Sequence, residues 1–169
     1  GYVLFIKPAY FLDHPLAALQ IWKGGMAFHG GLLGVVVAGY LYCRARKLPK
    51  AAFADVLFCA APIGLCLGRI ANFINAELAG RVTDRPWGML FPDPPWGPLP
   101  RHPSQLYEAA LEGVLLFVVL FVLARREAIR RRFGLLSGVF LIGYGAARSF
   151  VELFREPDPW IGLIGPGVS

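Results

Sequence analysis

The residues with the most chemistry to offer lie between Gly68 and Arg81, in the stretch GRIANFINAELAGR. It sets two arginines, two asparagines and a glutamate against the end of an apolar run that begins near Ala51. That run is long and apolar enough to cross a bilayer, which puts Arg69 at membrane depth. An ionisable group there is expensive and is by default a functional-site hypothesis. A second set, Arg148, Glu152 and Arg155, follows i, i+4, i+7 and is expected to share one helical face, while Arg69 and Asn72 form an i, i+3 pair on another helix. Two such helices facing each other would present two guanidiniums to one anion. Arginine suits this task because it keeps its charge in low dielectric and offers a planar fork of donors to phosphate oxygens. Glu152 would orient and partly neutralise its neighbours.

Gln105, Glu108 and Glu112 also fall along one face, at i, i+3 and i+7. They are expected to face the bundle interior, because a carboxylate against lipid costs several kcal/mol. Glu108 is placed to anchor an arginine, and Glu112 sits deeper. Each feature also has a plainer reading. His29, followed by Gly30 and Gly31, is either a base or a packing histidine at a helix start. Asn72 and Asn75 would serve equally as interhelical glue. Arg148 with Glu152 reads also as a structural ion pair, and Arg81 and Arg101 as snorkelling side chains. Ser104 beside His102 lacks the nucleophile elbow of a serine hydrolase.

The elements that must position these groups follow from composition. Of 169 residues, 56% are hydrophobic and only 17% charged, with a mean hydropathy of +0.54. Soluble domains carry about a quarter charged residues, so the chain is expected to be all-α, a polytopic transmembrane helix bundle forming one membrane domain over 1–169. The net charge of +6 is gathered in two runs, CRARKLPK and RREAIRRR. Between apolar spans these mark cytoplasmic loops rather than nucleic-acid contacts. Complete spans are expected near 26–43, 51–70, 105–124 and 135–154, each close to the roughly 20 residues that a bilayer core demands. With the two basic runs inside, the first span runs inward, the second outward, the third inward and the fourth outward. His29, the 69–81 stretch, the 101–108 segment and the Arg148 set then share the outward side. A long connection rich in Pro, Gly and Trp, RPWGMLFPDPPWGPLP, joins the second and third spans and is expected to be an ordered outward-facing loop. Glycines such as Gly31, Gly34, Gly138 and Gly143 are expected at close helix contacts. Cys43, Cys59 and Cys66 read as small buried hydrophobes without metal-ligand spacing, so no metal or cofactor is expected. The start at Gly1, without Met or a basic leader, suggests an internal fragment.

In chain order, HGGLLG, GRIANFINAELAGR, PWGMLFP, RHPSQLYE and YGAARSFVELFREPD resemble the bacterial prolipoprotein diacylglyceryl transferase family over nearly the whole chain. The resemblance implies a multi-pass enzyme of seven helices in the bacterial cytoplasmic (inner) membrane, with its site facing the periplasm. It would move the diacylglyceryl group of phosphatidylglycerol onto the lipobox cysteine of a prolipoprotein signal peptide and release glycerol phosphate. On that basis Arg69 and Arg148 match phosphate-handling arginines, and Asn72, Glu77 and Gly80 match other positions of the signature. His29 matches the histidine of the HGG motif, a base or a positioning group. Glu152 matches the carboxylate near the second arginine, and His102 and Tyr107 belong to a supporting motif. Asn75 and Arg155 join them as expected substrate contacts. Ala71, Ala76 and Ala79 stand where the family often shows glycine, glycine and an aromatic. The family's early helices, with a functionally important tyrosine, and its last helix are expected to lie outside this chain. The competing class is a transporter or channel for an anionic lipid or solute using the same arginines. It would want a matching polar cluster or a broken helix on the inner side, and neither is evident.

Overall fold

The apolar runs become helices, and the basic clusters fall at helix ends and in a short helix between them. A computed structural model describes residues 28–92 and 96–156, apart from the side chains of Phe28 and His29. Met26, where the first span was expected to begin, lies outside the described residues. The chain divides into two compact units, residues 1–53 and 54–169.

In the first unit, α1 (Phe28–Arg46) ends on Arg44 and Arg46, whose positive charges favour the carbonyl end of a helix. The helix is closed by Lys47 in the left-handed region, φ 54°. Its N–H donates to the Arg44 carbonyl at 3.4 Å and the next N–H, of Leu48, donates to Cys43 at 2.9 Å. This paired pattern satisfies carbonyls that a helix end leaves unbonded. Tyr42 and Phe53 pack with ring centres 5.7 Å apart, and Lys50 Nζ lies 4.1 Å over the Tyr40 ring, which ties the turn to the start of the next helix.

That helix, α2 (Lys50–Ile74), runs on into the second unit. There it is joined by α3 (Ser104–Ala124), α4 (Glu127–Arg130) and α5 (Leu135–Val151). Residues 109–115 of α3 wind as a π-helix between two α-helical parts. Among the described residues α2 and α3 are long and apolar enough to cross a membrane, while α5 is apolar but shorter. Among those residues there is no strand, only isolated β-bridges. Leu116 and Leu120 of α3 pack on Leu136 and Phe140 of α5, and Phe58 of α2 closes the cluster with its ring 4.9 Å from Phe140. Two glycines set the helix spacing. A Cβ on Gly113 would come within 2.6 Å of Cys66 Cβ and 2.9 Å of its Cα, and one on Gly143 within 2.7 Å of Leu116 Cδ1. Of the glycines expected at contacts, Gly143 alone serves one among the described residues; within those residues Gly31, Gly34 and Gly138 have nothing within reach of an added Cβ.

The start of α5 is held from another helix. Gly134, in the left-handed region, precedes α5, which has no side-chain cap of its own. Asp55, buried in α2, accepts the Gly134 N–H at 2.8 Å, the Ser137 N–H at 2.8 Å and the Ser137 hydroxyl at 2.6 Å. These are N–H groups that a helix start leaves without intrahelical partners. Asp55→Ala is expected to destabilise the protein by about 3 kcal/mol, since it orphans buried donors and removes a charged acceptor. Equilibrium unfolding of detergent-solubilised protein measures it, and a change below about 0.5 kcal/mol would show that the cap carries no weight.

The expected fourth span is shortened. α5 stops at Val151, three residues before Phe154, because the backbone beyond it pairs elsewhere. Phe154 O accepts the Arg81 N–H at 2.9 Å, and Gly80 and Arg155 form an antiparallel bridge. Backbone pairing also holds the described parts of the connection between α2 and α3. Arg101 bridges to both Val82 and Met89, and Gly80 N–H donates to His102 O at 2.9 Å.

Candidate functional site

Three cations from separate elements meet on one buried carboxylate. Arg69, near the end of α2, brings Nε to 2.5 Å from Glu108 Oε2. Arg148, in the last turn of α5, brings Nη1 to 2.8 Å from Oε1, and Arg155 brings Nε to 3.3 Å from the same oxygen. The Glu108 side chain is 3% exposed, against 19% for Arg69, 30% for Arg148 and 12% for Arg155. Glu152, more than half exposed, lies at the rim with Oε2 3.1 Å from Arg155 Nη1 and 3.7 Å from Arg148 Nη2. Below Glu108, Glu112 is fully buried in the π-helical segment, 3.9 Å from Arg148 Nη1. Among the described residues neither of its oxygens has a hydrogen-bond partner. Single π-helical turns are rare and cluster at functional sites.

The helices bring these groups together by alternation. Asp55 near the start of α2 meets the start of α5, whereas Arg69 near the end of α2 and Arg148 near the end of α5 meet the start of α3. So α2 and α5 run in parallel and α3 runs against them. The close passage of Cys66, one turn before Arg69, over Gly113, which follows Glu112 directly, brings Arg69 within reach of Glu108. Arg155 arrives differently from its expected place on a continuous helical face. It lies beyond the end of α5 and is delivered by the Gly80 bridge and by Arg81, whose Nε donates to Arg155 O at 2.7 Å. The helix stops early because a backbone pairing over more than seventy residues of sequence competes with its last turn.

The remaining expected site residues divide. Asn72 is half-buried one turn beyond Arg69, whereas Asn75 and Glu77 are exposed. Among the described residues none of the three makes a side-chain hydrogen bond to the arginine cluster. Their backbones matter more: Asn72 O accepts Glu77 N–H at 2.8 Å, and Glu77 O accepts Gln105 Nε2 at 2.5 Å, closing the end of α2 onto α3. Gly80 sits where an added Cβ would collide with Phe154 O and come within 2.8 Å of His102 O. His102 Nδ1 pairs with Tyr107 Oη at 3.1 Å, and Phe154 closes an aromatic cluster over both. The side chain of His29 lies outside the described residues. Arg101, which reads in the sequence as a snorkelling candidate, instead braces the connection. It donates to Trp96 O, Gly80 O and Glu156 Oε2 at 3.2, 3.0 and 3.0 Å. Among the described residues no group of three or more His, Cys, Asp or Glu side chains is arranged to hold a metal.

Glu108 is the group at the centre that the expected site residues omit. Its signal is in the sequence, as the middle of the Gln105, Glu108, Glu112 face, and all three are at most 2% exposed. What the pattern lacks is that both Arg69 and Arg148 choose the same carboxylate.

Comparison with known proteins adds a family. The model of the prolipoprotein diacylglyceryl transferase family matches residues 1–167. The chain is 56% identical over 169 residues to the phosphatidylglycerol–prolipoprotein diacylglyceryl transferase of Methylocella silvestris, covering all of this chain and 61% of that protein. It is 56% identical over 170 residues to the protein of the same name from Rhodospirillum centenum, and 56% over 169 residues to that of Cupriavidus necator, with the same coverage. The chain thus spans about three-fifths of the length of these curated relatives.

Proposed function

This chain belongs to the prolipoprotein diacylglyceryl transferase family, and from that premise we propose that the protein transfers the diacylglyceryl group of phosphatidylglycerol to the lipobox cysteine of prolipoproteins. The observation that carries the reading is the convergence of Arg69, Arg148 and Arg155 at the ends of apolar helices. In such a transfer a sulfur–carbon bond forms at the glycerol carbon and the carbon–oxygen bond to phosphate breaks. The thiol gives up its proton, and glycerol phosphate leaves. Negative charge grows on the departing phosphate, and preorganised cations aimed at it are the largest catalytic contribution available. Arg69 and Arg148 take that part, with Arg155 and Glu152 at the rim and Asn72 beside Arg69. Asn75 and Glu77, exposed at the end of α2, contact the substrates as they arrive. Gly80, His102 and Tyr107 keep the adjoining connection in shape. His29 acts as the base or positions the substrate. The thiol needs only modest activation, since a free cysteine titrates near pH 8.5.

The setting follows from the same features. Residues 1–169 form part of one membrane domain, an all-α polytopic bundle in the bacterial inner membrane, with the 75–103 connection and the arginine cluster on the periplasmic side. The supports are the apolar helices, their alternation in residues 54–169, the basic run 125–132 at the helix ends opposite the cluster, and the basic run 44–50 that precedes α2 in the sequence.

The test uses the full-length protein in detergent with phosphatidylglycerol and a lipobox peptide. Mass spectrometry is expected to find a diacylglyceryl adduct on the peptide cysteine, with glycerol phosphate released in equal amount. Folded protein that binds the lipid and leaves it chemically unchanged would refute the transferase reading in favour of binding or transport.

A further inference from the structure

Three guanidiniums within hydrogen-bonding reach of one position repel one another, and in a partly desolvated site that repulsion is poorly screened. The arrangement holds because Glu108 sits at its centre, 3% exposed, with one oxygen on Arg69 and the other shared by Arg148 and Arg155. The atoms used are informative. Arg69 makes its closest approach to Glu108 through Nε. Arg155 is also engaged on Glu108 through Nε, with Nη1 turned to Glu152. We infer that Glu108 is the positioning residue of this site: its carboxylate is the counter-charge that gathers three guanidiniums, and by taking Arg69 through Nε it leaves the Nη1/Nη2 edge of Arg69 to receive an anionic phosphodiester. Glu108 does not touch the reacting atoms and acts through the arginines. This deepens the function proposed above and rests on its reading of the arginines as a phosphate clamp.

A counter-charge role differs from a packing role in what a second substitution does. Glu108→Gln keeps the shape, removes the charge and turns an amide donor toward guanidinium donors. In the full-length protein it is expected to lower the melting temperature by about 10 °C and kcat/KM by about 100-fold, through displaced cations. Removing one cation then relieves the repulsion. Glu108→Gln combined with Arg155→Gln is expected to melt several degrees above Glu108→Gln alone and to recover about tenfold in kcat/KM. Arg155→Gln by itself is measured to close the cycle. Losses in the double variant that equal the sum of the single losses, in melting and in log kcat/KM, would overturn the assignment. Should Glu108→Gln not yield folded protein, a double variant that folds supports the role and one that does not overturns it. The melting cycle needs no turnover. A wild type without transferase activity therefore refutes the proposed function, while the melting data still decide the part played by Glu108.

Discussion

Arg148→Ala in the full-length protein is expected to lower diacylglyceryl transfer about 10³-fold, with the loss mainly in kcat. Arg148 is the most exposed of the three arginines on Glu108, and it reaches the most carboxylates: Glu108 at 2.8 Å, Glu152 at 3.7 Å and Glu112 at 3.9 Å. A cation in that position is both fixed from behind and open in front. Its attraction to phosphate grows as the carbon–oxygen bond breaks, so its removal weighs on the transition state more than on lipid binding. Arg148→Lys is expected to recover only part of the rate, because an ammonium is a point charge and cannot bond Glu108 and a phosphate through separate edges of one plane. Adduct formation followed by mass spectrometry over a range of phosphatidylglycerol concentrations separates the two effects. A variant with Ala at 148 that works within tenfold of wild type would remove Arg148 from the phosphate clamp.

Gly80→Ala is expected to cost about 3 kcal/mol of stability and, in the fraction that folds, about 100-fold in kcat/KM. The Cβ would collide with Phe154 O, lie 2.8 Å from His102 O and 3.0 Å from His102 Cβ. Two of these are fixed backbone or nearly so, and cannot swing aside as the tip of a flexible side chain would. Gly80 also donates its N–H to His102 O and bridges to Arg155. Relief of the clash therefore separates the 80–82 segment from both neighbours and draws Arg155 away from Glu108. The activity loss arises without any contact between Gly80 and substrate. Paired measurements of melting and turnover check this: a variant with wild-type melting and wild-type rate would show that the close approach at Gly80 is dispensable.

Particular residues show how much was legible beforehand. The helices were readable because lipid imposes a length and a polarity that few sequences meet by accident. The 51–70 span appears within Lys50–Ile74 and the 105–124 span within Ser104–Ala124. The pairing of Arg69 with Arg148 was approached through helix spacing alone, because residues three, four or seven apart share a face. Arg155 marks the limit of that method. Its i+7 relation to Arg148 assumed a helix that in fact stops at Val151, and only a bridge to Gly80 returns the side chain to the cluster. Asp55 marks another limit. In the sequence it is a lone acid in an apolar run, and nothing local indicates that its acceptors serve the start of a helix eighty residues away.

By itself the sequence determined that the chain is helical, where the apolar runs at 51–70 and 105–124 fall and which charged groups lie near their ends, because each depends on composition or on periodicity within a single element. The five motifs carried the family in the same way. Only the tertiary structure decided which carboxylate the arginines share, which glycines set the helix distances and how the 75–103 connection is braced. Those outcomes depend on contacts between elements far apart in the chain, where small differences in approach decide between partners that the sequence leaves equivalent. Glu108 and Glu112 are chemically alike and one turn apart, yet the first takes three guanidiniums and the second has no hydrogen bond among the described residues. The passage of Cys66 over Gly113 and the return of Arg155 through Gly80 set that choice by geometry.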